Sequence, residues 1–363
     1  MVSTNGTQKT RVAFLLENNF EDSEFQIPYN ALQQAGVETI ILGSRMNDEY
    51  QGKRGKVTVK PNATATEVRS EDFDAIIIPG GAAPDRIRTN PNAVRLIMDA
   101  MGQNLPIAAV CHGPQVLIEG DQLRDKRATG FRAIRKDIQN AGATYINEAV
   151  VVDGNLITSR QPSDLPLFTT LILTTLGLSV KEATLPDISD TNYEWWRLAE
   201  TWGGSTRSDI VGALQTAIGG ERYTHKAFEQ YGERTTDVEL RVVLQEICTT
   251  KQQHIQLLEA RLADFGEQAT LQAAGSAALA ALQGILQSQD DVGILRRALG
   301  DIQTGVVDSF QLCIQLTDPT TAQLFAQIEE NLAKHEERLS TLYRARFGKE
   351  VPPPQPTTMT FGG

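Results

Sequence analysis

Four short apolar runs in the first half of this chain constrain its fold more than any other feature. The runs are 12–17, 38–44, 74–81 and 106–112. Stretches with helical spacing, such as 25–36 and 91–102, lie between them. Near-continuous apolar strands that alternate with helices are typical of a parallel sheet buried on both faces. The pattern predicts a doubly wound, flavodoxin-like α/β domain, in which ligands bind beyond the carboxyl ends of the strands. Residues 149–159 add a predicted hairpin with Asp153-Gly154 at its turn.

From about Asp209 to Phe347 the sequence loses its strand signals and follows helical spacing. The predicted helices are 209–233, 238–265, 290–316 and 320–347. A shift of 81 residues aligns 212–254 with 293–335, and nine of these 43 positions are identical. Two duplicated helical hairpins joined by a long connection, 266–289, predict an all-α four-helix bundle with one crossover, the layout of ferritin-like folds.

These patterns divide the chain into four parts. The predicted parts are an α/β domain at 1–183, a Trp-rich linker at 184–208, the helical bundle at 209–347 and a disordered, proline-rich tail at 348–363. The linker holds all three tryptophans, and we expect their rings to be buried rather than to form an aromatic binding platform.

Charge and cysteine content exclude several classes of protein. The net charge of −11 argues against nucleic acid or an anionic membrane as the main partner. The three cysteines are far apart, so the sequence predicts neither a disulfide framework nor a zinc knuckle. The N-terminus lacks the pattern of a signal peptide, and no apolar run is long enough to span a bilayer. A reducing, cytoplasmic location fits these features.

One cysteine stands where the fourth apolar run must turn into a helix. In "IAAVCHGPQ", Cys111 and His112 follow the strand directly and Gly113-Pro114 begin the turn. A side chain at such an elbow is held above the sheet, and the backbone N–H groups of the helix start favour a negative charge. We therefore expect Cys111 to be a reactive thiol that ionises more easily than a free cysteine.

Four spaced motifs over about residues 10–178 resemble the PfpI/ThiJ superfamily, specifically its PfpI branch, which is related to class I glutamine amidotransferase domains. The motifs are "NNFEDSEFQIP", "IIIPGGAAPDRIR", "AVCHGPQ" and "VVVDGNLITSRQPSDLPLF". Members of this superfamily are described as intracellular cysteine peptidases, as glyoxalase or deglycase-type enzymes and as stress proteins. The resemblance implies an amidotransferase-like fold for this part of the chain.

The resemblance also implies roles for individual residues. Cys111 would be the nucleophile and His112 its acid or base, and Glu21 would be a largely protonated carboxyl beside the sulfur. The backbone N–H groups of Gly81 and His112 would form the oxyanion hole. Asp85 of a neighbouring subunit would orient His112, which makes a homodimer or higher homo-oligomer part of the mechanism. Read without the family, the acids of "EDSE" and Asp85 are ordinary helix-start residues.

One position departs from the family pattern. Phe131 stands where several members carry tyrosine, so a phenolic donor is missing near the predicted pocket. We expect this difference to alter substrate handling more than the reactivity of the cysteine.

The helical half offers only an incomplete set of metal ligands. A di-iron bundle requires Glu-x-x-His on two of its helices. His254 and His335 occupy matching places in the repeat, but Lys251 and Leu332 stand three residues before them. Glu221 is the one candidate carboxylate on the first helix. The sequence therefore predicts no metal and no cofactor, and the bundle would serve assembly or partner binding.

Two functions remain open from the sequence. In the first, Cys111 attacks a small carbonyl or glycated group, or the amide of a peptide, as in a glyoxalase, deglycase or cysteine hydrolase. In the second, Cys111 is a redox sensor that is oxidised under stress without catalysing a reaction, and the bundle conveys this state to a partner. The substrate would be a small molecule or peptide in the first case.

Overall fold

The computed structural model describes residues 9–180, 185–270 and 290–347. Two compact units make up the chain: Met1–Ile210 with Ile314–Ala322, and Val211–Cys313 with Gln323–Gly363. The predicted tail and most of the predicted crossover, from 271 to 289, lie outside the described residues.

The first unit is built around a seven-stranded sheet. Its strands in chain order, with two short pairs beside the main sheet, are β1 (Arg11–Leu15), β2 (Glu38–Gly43), β3 (Tyr50–Gln51), β4 (Thr58–Val59), β5 (Ala63–Thr64), β6 (Ala75–Ile78), β7 (Ile107–Val110), β8 (Arg127–Ala128), β9 (Thr144–Tyr145), β10 (Val150–Asp153) and β11 (Leu156–Ser159). The main sheet has the order β10-β11-β7-β6-β1-β2-β5, with β3-β4 and β8-β9 as separate pairs.

The main sheet is parallel except for β10. Its central strands β1, β6 and β7 are almost entirely buried, and Phe14 of β1 lies opposite Ile41 and Ile77 of its two neighbours. Burial on both faces explains why these strands consist of continuous apolar runs. The hairpin β10-β11 is antiparallel, and Asp153 pairs with Leu156 across its turn. These features confirm the predicted α/β fold.

Seven helices accompany the sheet in the described part of the first unit. They are α1 (Asp22–Gln34), α2 (Ala83–Ile87), α3 (Pro91–Gly102), α4 (Pro114–Glu119), α5 (Arg135–Asn140), α6 (Leu165–Thr175) and α7 (Trp195–Thr201). Helix α3 shows why these boundaries arise, since the Asn90 side chain accepts from two backbone N–H groups and proline occupies the first turn. In the segment predicted as a linker, Trp195 and Trp202 lie in the buried core of this unit.

Four long helices make up most of the described residues of the second unit. They are α8 (Arg207–Arg234), α9 (Val238–Asp264), α10 (Asp291–Gln315) and α11 (Pro319–Phe347), of which residues 207–210, 314–315 and 319–322 are grouped with the first unit. Each boundary lies within two residues of the prediction. Asp237 caps α9 by accepting a hydrogen bond of 3.0 Å from the Leu240 N–H, which explains the sharp start of that helix. Across the ranges that the structure describes, none of the helices combines the length and apolar character needed to cross a membrane.

Candidate active site

Cys111 occupies the predicted elbow between β7 and α4. Its φ is +60°, a left-handed conformation that is costly for any residue with a Cβ. The surrounding backbone holds this conformation, because the Cys111 N–H donates to the Ser159 carbonyl at 3.0 Å and the Gly113 N–H donates to the Val110 carbonyl at 2.7 Å. The sulfur is thereby fixed at the carboxyl end of the sheet, and the side chain is only 7% exposed.

The turn after β6 forms the wall opposite the cysteine. A Cβ added to Gly80 would lie 2.7 Å from Cys111 Cβ, 2.7 Å from Glu24 Oε2 and 2.8 Å from the backbone nitrogen of His112. Only glycine therefore fits at this position. Gly81 follows with φ +77°. Its N–H donates to the Cys111 sulfur, a contact that lowers the pKa of the thiol. The role of Gly81 as an oxyanion-hole donor stays a prediction.

Glu24 of α1, and not Glu21, is the carboxyl beside the sulfur. Glu24 is fully buried, and its Oε2 accepts a hydrogen bond of 2.7 Å from the Gly80 N–H. Burial raises its pKa to about 8, and the nearby charge of Glu21 adds to this effect. Glu24 also hydrogen-bonds to Cys111. Glu24 is therefore predominantly protonated at neutral pH and able to donate to a negatively charged sulfur.

The prediction of Glu21 for this role was wrong. Glu21 is the residue before α1, and its carboxyl forms ion pairs with Arg54 Nε at 2.8 Å and Lys53 Nζ at 3.8 Å. Residues three apart share one side of a helix start, so the motif alone does not distinguish Glu21 from Glu24. The missed signal is that Glu24 lies on the apolar face of α1, in phase with Ile27 and Pro28.

The expectation of an easily ionised thiol also requires correction. Burial raises the pKa of Cys111 well above its ordinary value, and Glu24 acts in the same direction whenever its carboxyl is ionised. The Gly81 N–H opposes this change but does not outweigh burial. Because α4 has only six residues, its start offers the sulfur little compensation for the loss of water. The resting site therefore holds a neutral thiol beside a neutral carboxyl.

His112 is placed to receive the proton of that thiol. Its Nδ1 lies 3.3 Å from Cys111 Sγ. The ring packs beside Phe131, with 5.2 Å between ring centroids, so the position that departs from the family pattern does border this site. Burial lowers the pKa of His112, and the positive charge of Lys53 lowers it further. The imidazole is therefore neutral at pH 7, and with its proton on Nε2 it offers Nδ1 as an acceptor.

Asp85 lies on α2 with its side chain 65% exposed. Its carboxylate forms an ion pair with Arg88 at 2.6 Å. Within the described part of this chain no hydrogen bond joins it to His112, although its charge raises the pKa of His112. The contribution of Asp85 from a neighbouring subunit stays a prediction.

The bundle candidates Glu221 and His254 meet in the second unit, but they do not form a metal centre. Glu221 accepts from Lys251 Nζ at 3.0 Å, and its other oxygen lies 3.0 Å from His254 Nδ1. His335 instead hydrogen-bonds to Thr250 Oγ1 at 2.9 Å. Among the residues with described positions, no group of three or more acidic, histidine or cysteine side chains converges as metal ligands would. An ammonium group at the centre repels a cation, so these residues do not fit a di-iron site.

Comparisons with known proteins agree with both units. The sequence pattern of the DJ-1/PfpI family matches residues 10–175. An uncharacterized protein of Archaeoglobus fulgidus is 43% identical over 158 residues, which are 44% of this chain and 93% of that protein. An uncharacterized protein of Staphylococcus aureus is 43% identical over 161 residues, which are 44% of this chain and 93% of that protein.

A crystal structure from Anabaena variabilis is similar over nearly the whole chain. It is described as a two-domain protein containing DJ-1/ThiJ/PfpI-like and ferritin-like domains. The two sequences are 52% identical, the match covers 96% of this chain and 99% of that chain, and the TM-score is 0.86. This similarity confirms the predicted fold class of both parts.

Proposed function

Because this chain belongs to the DJ-1/PfpI family and carries a ferritin-like second unit, we propose that its first unit is a cysteine-dependent enzyme that acts on small carbonyl compounds or glycated groups. One observation carries the proposal: Cys111 Sγ lies 3.3 Å from a neutral His112 Nδ1 at a strained elbow. A nucleophile within reach of its base is the minimal arrangement for covalent catalysis.

The reaction begins with transfer of the thiol proton to His112. The sulfur then attacks the carbonyl carbon, a C–S bond forms, and the electron pair of the C=O bond moves to the oxygen. We assign stabilisation of this oxyanion to the N–H groups of Gly81 and His112, and we assign to the protonated Glu24 the role of donor to the charged sulfur. The imidazolium returns its proton to the oxyanion, which gives a neutral hemithioacetal.

Burial favours a small substrate over a peptide. Cys111 is 7% exposed, and Glu24, Gly80 and Phe131 surround it closely. An extended peptide needs its own backbone accommodated beside the sulfur, whereas a small aldehyde needs only access for two or three heavy atoms. Small carbonyls are therefore preferred to amides as the substrate class.

The proposal is tested by the consumption of methylglyoxal and, in parallel, the hydrolysis of a peptide amide. Cys111→Ala should reduce methylglyoxal consumption to the rate without enzyme, while the control Cys248→Ala should keep the wild-type rate. Equal rates in wild type and Cys111→Ala would overturn the proposal. Amide hydrolysis that depends on Cys111, without methylglyoxal consumption, would reassign the substrate class.

A redox sensor is the second candidate, and the environment of the sulfur supports it. The Gly81 N–H and the protonated Glu24 both interact with the sulfur, so we expect both to hydrogen-bond to oxygen atoms added to Cys111. Mild peroxide treatment followed by intact-protein mass spectrometry distinguishes the two functions. Rapid and selective oxidation of Cys111 together with no turnover would favour the sensor.

A further inference from the structure

The second unit has a buried lysine side chain, Lys251, in its interior. Lys251 of α9 is 1% exposed, and its Nζ donates to Glu221 at 3.0 Å. An ammonium group has three N–H donors, and Glu221 is the single hydrogen-bond acceptor that the described residues give it. Phe228 adds only a ring face, with its centroid 5.8 Å away. Two donors of a buried charged group are therefore left for another acceptor.

A cavity of about 490 Å³ lies against this ammonium group. Lys251 and Glu221 contribute its polar end, and residues of α8, α10 and α11 form its walls. Leu312, Phe325 and Ile328 are apolar wall residues, and the exposed Asp308 also lines the cavity. A volume of this size, with apolar walls and a few convergent polar groups, is typical of small-molecule sites.

The charges around the cavity select the kind of ligand. Lys251 and Glu221 neutralise each other. Asp301 also lines the cavity and accepts a hydrogen bond of 2.9 Å from the Tyr231 hydroxyl, and Asp308 is a second acid in the lining. An anionic ligand would meet these acids. A cationic ligand would be repelled by Lys251. A neutral oxygen atom can accept hydrogen bonds from the remaining ammonium N–H groups at the lowest electrostatic cost.

We propose that this cavity binds an uncharged, largely apolar small molecule whose carbonyl or hydroxyl oxygen accepts from Lys251 Nζ. Its hydrocarbon part packs on Leu312, Phe325 and Ile328. The site is separate from Cys111 and does not depend on its chemistry.

Three probes of equal chain length test the ligand class: 1-hexanol, hexanoate and hexylammonium, each titrated into the full chain by isothermal titration calorimetry. We expect 1-hexanol to bind at one site with a dissociation constant of about 1 mM or lower. The two charged probes should bind at least about tenfold more weakly. Tighter binding of either charged probe, or no binding of 1-hexanol, would overturn the proposal.

Two substitutions locate the binding. Leu312→Trp fills the cavity and leaves the Lys251–Glu221 pair intact, so it should weaken 1-hexanol binding at least about tenfold. Leu257→Trp is the control, because Leu257 is exposed on α9 and does not line the cavity. Lys251→Met removes the donor, but it leaves Glu221 without its cation. Only Lys251→Met protein with wild-type helical circular dichroism is titrated, and it too should lose affinity. Wild-type affinity in Leu312→Trp would refute the assignment even if Lys251→Met does not fold.

Discussion

Glu24 and Gly80 are joined by a hydrogen bond of 2.7 Å, from the Gly80 N–H to Oε2 of the carboxyl, directly beside Cys111. The absent side chain of Gly80 leaves the space that the acid and the sulfur share. The turn after β6 therefore positions the two titrating groups of the candidate active site relative to each other.

Gly80→Ala should displace this pair. The new methyl group would lie 2.7 Å from Cys111 Cβ and from Glu24 Oε2, and overpacking of this kind costs about 1–3 kcal/mol of unfolding free energy. We expect at least a tenfold loss of methylglyoxal consumption, on the order of the 1.4 kcal/mol that a tenfold change represents. Gly102→Ala is the matched control, because nothing lies within 4 Å of its added Cβ. Full activity in Gly80→Ala would contradict this packing argument.

Glu24→Gln should flatten the pH dependence of stability. The pKa of Glu24 is raised from 4.5 to about 8 in the folded chain. The contribution of Glu24 to the free energy of unfolding is therefore fully present below about pH 4.5 and is lost as the pH rises to about 8. At 1.36 kcal/mol per pKa unit, the loss amounts to at most about 5 kcal/mol. Gln does not titrate, so the variant should lose less stability over this window.

The measurement is urea unfolding near pH 5 and near pH 8, followed by tryptophan fluorescence. All three tryptophans belong to the first unit, so the signal reports on the unit that contains Glu24. Glu119→Gln, at an exposed position, serves as control. If wild type and Glu24→Gln lose the same stability between the two pH values, the raised pKa of Glu24 is wrong.

Lys53→Met should shift the acid limb of the pH–rate profile to higher pH. The charge of Lys53 lowers the pKa of His112, so its removal lets the imidazole take up a proton at higher pH. We therefore expect the acid limb of kcat/KM for methylglyoxal to move to higher pH, by an amount that screening of the exposed Lys53 by water reduces. Asp85→Asn should move the limb in the opposite direction, because Asp85 raises the pKa of His112. Lys60→Met is the neutral control, and shifts of the same sign in the Lys53 and Asp85 variants would contradict the assignment.

Lys251→Glu should turn the centre of the second unit towards metal binding. The substitution removes the ammonium group and places a carboxylate three residues before His254, facing Glu221. Without metal, two like charges should lower the midpoint of thermal unfolding. Added Zn²⁺ should raise this midpoint again. At a concentration 100 times the dissociation constant, the bound ion should add about 2.7 kcal/mol to the free energy of unfolding. The wild type and Lys251→Gln should show no such rise, and a rise in Lys251→Gln equal to that of Lys251→Glu would contradict the role of the new carboxylate.

The sequence predicted those features that depend on local pattern. Continuous apolar runs identified the buried strands, and "CHGP" after the fourth run identified the elbow of Cys111, because both follow from backbone geometry and burial along one segment. The helix boundaries of the bundle were predictable for the same reason, since Asp237 is a local cap. Repeat analysis also indicated the paired hairpins correctly.

Features that depend on contacts between distant segments were not predictable. Glu24 rather than Glu21 lies beside the sulfur because Arg54 pairs with Glu21 and the Gly80 N–H donates to Glu24. Both partners lie far from α1 in sequence. The pKa of Cys111 is decided by the depth of its burial, which the local motif does not report. In the bundle, the sequence shows Lys251 where a di-iron site needs a carboxylate, but the cavity beside Lys251 depends on side chains from several helices and has no local signal.

The resting state of Cys111 is tested most directly by the pH dependence of its alkylation with iodoacetamide, followed at the Cys111 peptide by mass spectrometry. Cys248, whose pKa is raised to about 11, is an internal reference within the same chain. A buried thiol that gives its proton to His112 only during reaction should be alkylated with a midpoint above the value of about 8.5 for a free thiol. An alkylation rate that has already reached its plateau at neutral pH would contradict this state of the site.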